Sequence, residues 1–404
     1  MAHLFKLYFD SFKGLSKEVW WLALITLINR AGTMVIPFLS LYLTEDLSFT
    51  LTDVGWVMSA FGLGSVVGSW LGGKLTDKIG AYKIMVFSLI VSGFLFIGIQ
   101  YVTDFTNLCL SIFVLITVAD LFRPALFVAL NSYSKPENKT RSVTLIRLAI
   151  NLGFSAGPAV GGMIIVGIGY GGLFWVDGIT CILAGLLFVK ILNPKKAPVA
   201  EEKEVVNRQS AYTDGKYLIF VIAILLYALV FMQYFSTIPL YYKDGHHLTE
   251  FEIGILFAGN GLLIFLLEMP MVKWLENNGR SKEFLMIIGA LLTGASFIIL
   301  NMTDWTGILV VGLFLITFGE MIFFPFSNAF AMERSNRGNK GEYMALYMMA
   351  FSFAHIFSHN GGMQLIDSVG FDTTWLIVTG LSSASVLLLF VLRSKMKENK
   401  TIED

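Results

Sequence analysis

The side chains able to do chemistry in this chain are few, and they sit where charge is costly. Glu320 lies in Phe-Gly-Glu320-Met-Ile-Phe-Phe-Pro325, Asp120 and Arg123 lie three residues apart, and Arg30 closes Leu-Ile-Asn-Arg30, all inside long apolar runs. At bilayer depth an ionisable group costs at least about 2.5 to 3.5 kcal/mol by insertion scales, so it generally faces a cavity and works there. Glu320 is the first candidate for carrying a proton, because an apolar setting makes its ionised form costly. Asp120 is the second. It shares a helical face with Arg123, which can hold it ionised, so the pair reads first as a charge-balanced gate element. That face continues through Phe127 and Asn131. Arg147 lies on a stripe with Asn151 and Ser155, and Glu268 lies near a polar hairpin, where a latch to a lysine is its expected role. His355 and His359 are four apart, but no third ligand accompanies them, so they read as ordinary hydrogen-bonded histidines and no metal is expected. No phosphate-binding loop or nucleophile constellation is present, which argues against an enzyme and against ATP as energy source. No cofactor is implied.

The elements that must position these groups are membrane spans. Hydrophobic residues make up 55% of the chain and charged residues 14%, against about 25% charged in soluble domains, and mean hydropathy is +0.70. An apolar stretch of about 20 residues crosses the hydrocarbon core as a helix. Twelve occur, at roughly 19–43, 52–75, 84–104, 106–131, 141–166, 170–192, 216–241, 251–275, 283–302, 305–333, 341–366 and 372–394. The expected fold is therefore all-α integral membrane, with six-helix bundles at 1–192 and 216–404 joined by a polar linker at 193–215. Of the 29 Lys and Arg residues, 25 fall in the termini, the even-to-odd loops and the span ends beside them, all on one side. By the positive-inside rule both termini are cytoplasmic, in a multi-pass protein of the cell membrane. The basic N-terminus lacks a small-residue cleavage site, so no removable signal peptide is read. Cys109 and Cys181 lie inside apolar segments and imply no disulfide.

The chain repeats itself. Lys74-Leu-Thr-Asp77-Lys78-Ile-Gly80-Ala-Tyr-Lys83 aligns with Lys273-Trp-Leu-Glu276-Asn-Asn-Gly279-Arg280-Ser-Lys282 at an offset of 199 residues. Ile36-Pro37-Phe38 matches Ile238-Pro239-Leu240, Pro124 matches Pro325, Asn138-Lys139 matches Asn339-Lys340, and Gly161-Gly162 matches Gly361-Gly362. Two six-span halves of the same orientation follow, as in parallel-repeat transporters. Gly64, Gly68 and Gly72 on span 2, and Gly153, Gly157 and Gly161 on span 5, each form a small-residue stripe suited to close helix packing.

Gly73-Lys-Leu-Thr-Asp77-Lys78-Ile-Gly80-Ala-Tyr-Lys83, between spans 2 and 3, resembles the signature loop of the major facilitator superfamily. Gly153-Phe-Ser-Ala-Gly157-Pro158-Ala-Val-Gly161-Gly162 resembles that superfamily's antiporter motif, and Arg123 stands where many of its drug:proton antiporters bear a buried arginine, without the Gln-Gly that often follows. The resemblance covers the whole chain. It implies a twelve-span drug:proton antiporter working by alternating access, with spans 1, 4, 7 and 10 lining the cavity. Arg30, Arg123, Asn131, Phe127, Gln233 and Tyr234 are then the candidate cavity residues. Gly73, Asp77, Lys78, Gly80, Lys83, Arg147, Gly153, Gly157, Pro158, Gly161 and Glu268 form the conformational gate. In that gate Asp77 can accept hydrogen bonds from the N-terminal amides of a neighbouring helix and so latch the cytoplasmic side.

An aromatic cavity with few polar anchors suits amphipathic drug-like molecules, so export of such molecules in exchange for protons is the expected function. The alternative is a proton-coupled importer of oligopeptides or another small organic solute. Peptide symporters of the superfamily carry E-x-x-E-R on span 1, where Thr26-Leu-Ile-Asn29-Arg30 keeps only the arginine. A small-molecule substrate and the lipid bilayer are the expected partners, with no nucleic acid, and the expected state is a monomer.

Overall fold

The computed structural model describes residues 10, 12–31, 34–35, 38–39, 42–192, 209–248 and 250–403. Apart from one isolated bridge residue at Gln209, regular structure there is helical. Among the described residues nine helices are long and apolar enough to cross a membrane: Asp53–Ile79, Ala81–Ile99, Phe105–Tyr133, Tyr170–Ile191, Gly215–Gly245, Ile255–Asn277, Lys282–Asn301, Gly307–Arg337 and Gly361–Lys397. They correspond to spans 2, 3, 4, 6, 7, 8, 9, 10 and 12. Span 5 is the helix Lys139–Ile168, span 1 begins as Lys17–Ala31, and span 11 opens the long helix Lys340–Glu403, interrupted at Gly370. Large apolar side chains such as Val166, at 90% exposure, cover the outside, which is a surface for lipid and not for water. The Ile36-Pro37 part of the repeat and linker positions 193–208 lie outside the described residues, as do the side chains of Pro158 and His359.

Breaks in the helices have local causes. Span 4 is interrupted at Leu121, between Phe105–Asp120 and Phe122–Tyr133. Pro124 has no amide hydrogen to donate and its ring crowds the carbonyl four residues earlier. Ser88 of span 3 donates to the carbonyls of Val118 and Ala119 beside the break, at 2.7 and 3.1 Å.

Positive-φ turns repeat at close to the offset of the sequence repeat. Gly80 and Gly279 turn at φ +91° and +63°, Gly169 and Gly370 at +77° and +78°, and Ser48 and His247 at +54° and +56°. Tyr42–Asp46 and Tyr241–Gly245 are both single π-turns. Tyr42 packs against Tyr170 and Phe174 at 5.9 and 5.0 Å, while Tyr241 packs against Phe371 and Trp375 at 5.1 and 5.3 Å. Beyond the span, the His246 ring bonds the Tyr241 hydroxyl at 3.1 Å, and burial holds its pKa below the usual histidine value.

The chain forms two compact units. One comprises Gly14–Arg208 with Ser335–Met349; the other comprises Met1–Lys13, Gln209–Arg334 and Ala350–Asp404. Within the first, the glycine stripes are contact surfaces. A Cβ at Gly64 would meet the Phe113 carbonyl at 2.7 Å and one at Gly72 would meet the Leu121 Cα at 2.8 Å, so span 2 lies backbone to backbone on span 4. Span 5 does the same against span 1. There Gly153 would place a Cβ 2.6 Å from the Arg30 Cβ and 2.8 Å from the Ala31 amide nitrogen, whereas Gly157 has room, its nearest atom being the Ala31 carbonyl at 3.5 Å. Overpacking a fixed backbone contact costs about 1 to 3 kcal/mol. Gly153→Ala should therefore lower the melting temperature of the purified protein, and Gly157→Ala should leave it unchanged. Equal melting of the two variants would show that this interface yields.

Candidate functional site

In the Gly14–Arg208 unit, Arg30, Asp120 and Arg123 come within electrostatic range of one another. Ser65 of span 2 donates its hydroxyl to Asp120 Oδ2, and an Arg123 guanidinium nitrogen lies 3.7 Å from the same oxygen, on the helical face that their spacing predicts. A cavity of about 50 Å³ lies beside them, lined among others by Asn29, Arg30, Ser88, Ser92, Asp120 and Cys181. That volume holds one or two waters. Phe122 lines it too, while Phe127 is buried one turn further on. Asn131 is buried and donates to Asn336 Oδ1 at 3.0 Å. Arg147 is half-buried on span 5.

The hairpin places Asp77 on the start of span 11. Its Oδ1 accepts from the Gly341 amide at 2.6 Å and its Oδ2 from the Glu342 amide at 3.0 Å. These are orphan donors of a helix N-terminus, where backbone dipoles also favour negative charge. Gly73 meets Gly341 and Ala345 with no space for a side chain. Gly80 turns the chain at positive φ, a conformation that glycine adopts without strain. Lys78 and Lys83 are exposed, and the Lys74 ammonium stands 4.0 Å above the Trp70 ring.

The second unit holds Glu320, which is 6% exposed. Asn260 of span 8 donates through Nδ2 to Glu320 Oε1 at 2.7 Å and to Thr317 Oγ1 at 2.9 Å. Around it lies an aromatic group: Tyr227 stacks on Phe323 at 3.4 Å, Phe324 stands edge-on to Phe231 at 4.8 Å, and Tyr234 lies 4.9 Å from Phe257. The Tyr234 hydroxyl is buried without a hydrogen-bond partner among the described residues. Gln233 ties span 7 to span 11, donating to the Ser358 carbonyl at 3.1 Å and accepting from Thr237 at 3.1 Å. Glu268 is fully buried, eight residues along span 8 from Asn260.

Two units of long apolar helices, each carrying ionisable side chains within those helices, are the make-up of an integral membrane protein. The sequence profile of the Major Facilitator Superfamily matches residues 22–359 and 247–403, and the chain belongs to that family. It is 25% identical over 398 residues to a Na(+), Li(+), K(+)/H(+) antiporter of Planococcus maritimus, covering 90% of this chain and 92% of the relative. It is 28% identical over 244 residues to the quinolone resistance protein NorA of Staphylococcus aureus, covering 59% and 61%. Its fold resembles a proton:xylose symporter, XylE, with a TM-score of 0.74 at 13% identity over 92% and 95% of the chains. A bacterial homologue of the iron transporter ferroportin gives 0.75 at 16% identity over 94% and 100%. The protein is thus a multi-pass membrane transporter of small molecules.

Two polar joints escape the sequence reading. Asp214 caps span 7 through the Tyr217 amide at 3.1 Å and pairs bidentately with Arg334 of span 10, at 2.6 and 2.7 Å, both buried. Asp177 of span 6 is wholly buried and accepts the amides of Met34 and Val35, each at 2.8 Å, where span 1 restarts after Ala31. The signal for Asp177 was present, since it is the one acid in the apolar run Tyr170–Ile191. Each of its oxygens serves a different amide, so asparagine keeps one acceptor and alanine none. Leaving a buried donor unmatched costs about 1 to 3 kcal/mol. Asp177→Ala should lower the melting temperature more than Asp177→Asn does, and the reverse order would remove the capping role.

Proposed function

We propose that this protein is a proton-coupled antiporter that exports small amphipathic organic molecules, with Glu320 as the proton-carrying group. The observation that carries the reading is a carboxylate held at mid-span, at 6% exposure, inside an aromatic cluster and against an amide donor. Ionised, such a carboxylate attracts a cationic partner; protonated, it releases that partner at low cost and lets the spans rearrange. The antiporter name of one relative and the quinolone-resistance name of another favour exchange and export over uptake. Exchange of monovalent cations for protons is the second reading, favoured by the Planococcus maritimus relative, which matches 90% of this chain. Asp77 acts as a latch in this scheme, holding the N-terminus of span 11 in one state and letting it go in the other. The excess of Lys and Arg in the loops on one side supports a cytoplasmic location for both termini.

Proteoliposomes with an imposed pH gradient, tested against cationic dyes, dipeptides and Na⁺ or K⁺, separate these readings. Dye expulsion driven by proton entry is expected, and peptide uptake with protons would overturn the assignment. Glu320→Gln should abolish pH-driven transport while sparing substrate counterflow, and intact proton coupling in that variant would refute the role. Asp77→Asn should express normally yet transport several-fold more slowly, because one of two helix-capping oxygens is replaced by a donor.

A further inference from the structure

The polarity of the network around Glu320 is fixed by a backbone carbonyl of its own helix. Thr317 sits one turn before Glu320 on the same face of span 10, fully buried, and donates its only hydroxyl proton to the Leu313 carbonyl at 2.6 Å. Its oxygen can then only accept. Asn260 must therefore turn its NH₂ group, and not its carbonyl, toward Thr317 at 2.9 Å, and the second hydrogen of that NH₂ meets Glu320 Oε1 at 2.7 Å. A helix carbonyl thus dictates, through two side chains, that Glu320 faces a donor. A donor strengthens its bond to a carboxylate as that carboxylate ionises.

We propose that Asn260 and Thr317 are positioning residues that set the proton affinity of Glu320, and so the pH range over which the transporter exchanges. This rests on the reading of Glu320 as the proton carrier. Other titratable groups face Glu320 from the packed spans. Tyr234 of span 7 lies within electrostatic range. Phe351 of span 11 packs on Phe324 at 5.6 Å, and antiparallel register from that contact brings His355 to the level of Glu320. Span 9 presents Gly289 and Thr293, neither ionisable, against Gly319. On span 8 the nearest acids, Glu252 and Glu268, are each eight residues from Asn260, about 12 Å along the helix.

The sign follows from the donor. Removing a hydrogen bond to the ionised form makes that form less favourable, so Glu320 holds its proton to higher pH. In proteoliposomes, Asn260→Leu should move the half-maximal pH of transport upward by about one to two units. Thr317→Val, which frees the amide to turn, should move it upward by less, and Thr317→Ser should restore the wild-type profile. The Asn260→Leu shift should persist in a His355→Gln background, which sets the histidine aside as its source. A merely structural role would lower the rate at every pH without moving the midpoint. An unmoved midpoint in both Asn260→Leu and Thr317→Val, with Glu320→Gln uncoupled, overturns the proposal and leaves the proton-carrier reading standing. Intact proton coupling in Glu320→Gln removes both. If Asn260→Leu does not fold, Thr317→Val decides alone, since valine keeps the shape of threonine.

Discussion

A polar group held inside a bilayer has only protein to bond to, and the arrangement of this transporter follows from that constraint. Its buried acids meet it in distinct ways. Asp177 takes two backbone amides where span 1 restarts, Asp214 takes an amide and an arginine, and Glu320 takes an amide hydrogen from Asn260. The first two are committed to backbone or to a fixed cation, which ties up their charge in structure. At Glu320 one described donor is the neutral side chain of Asn260.

The repeat shows how one backbone plan carries two kinds of joint. Ser16 caps the start of span 1 and donates its hydroxyl to the Tyr133 carbonyl at 2.9 Å. About 200 residues later the same joint, between the start of the half and the end of its fourth span, is the Asp214 to Arg334 ion pair. Turn glycines, π-turns and the tyrosine packed on span 6 or span 12 are kept in both halves, because they fix where the chain reverses. Polar chemistry is not kept. Asp120 and its arginines lie in one unit, and Glu320 lies in the other.

Much of this was legible in the sequence. Helix existence followed from apolar length, the repeat followed from matched residues, and the depth of Asp120 and Glu320 followed from their place in each run. The close approach of the glycine stripes was readable as spacing, yet the inequality of Gly153 and Gly157 was not. It depends on which atoms of span 1 stand opposite. Gln233 was legible as a polar group in an apolar span, but the joining of span 7 to span 11 by its amide was not. Uncharged Asn260 and Thr317 gave no signal at all, since an asparagine in an apolar run carries no mark of what it touches.

By itself the sequence determined which segments enter the membrane, how many times the plan is repeated and which charges are taken out of water, because these follow from transfer free energies summed along the chain. Only the tertiary structure decided which donor each buried acid meets. Hydrogen-bond direction depends on atoms from spans far apart in sequence, such as the Leu313 carbonyl that orients Thr317, Asn260 and, through them, Glu320.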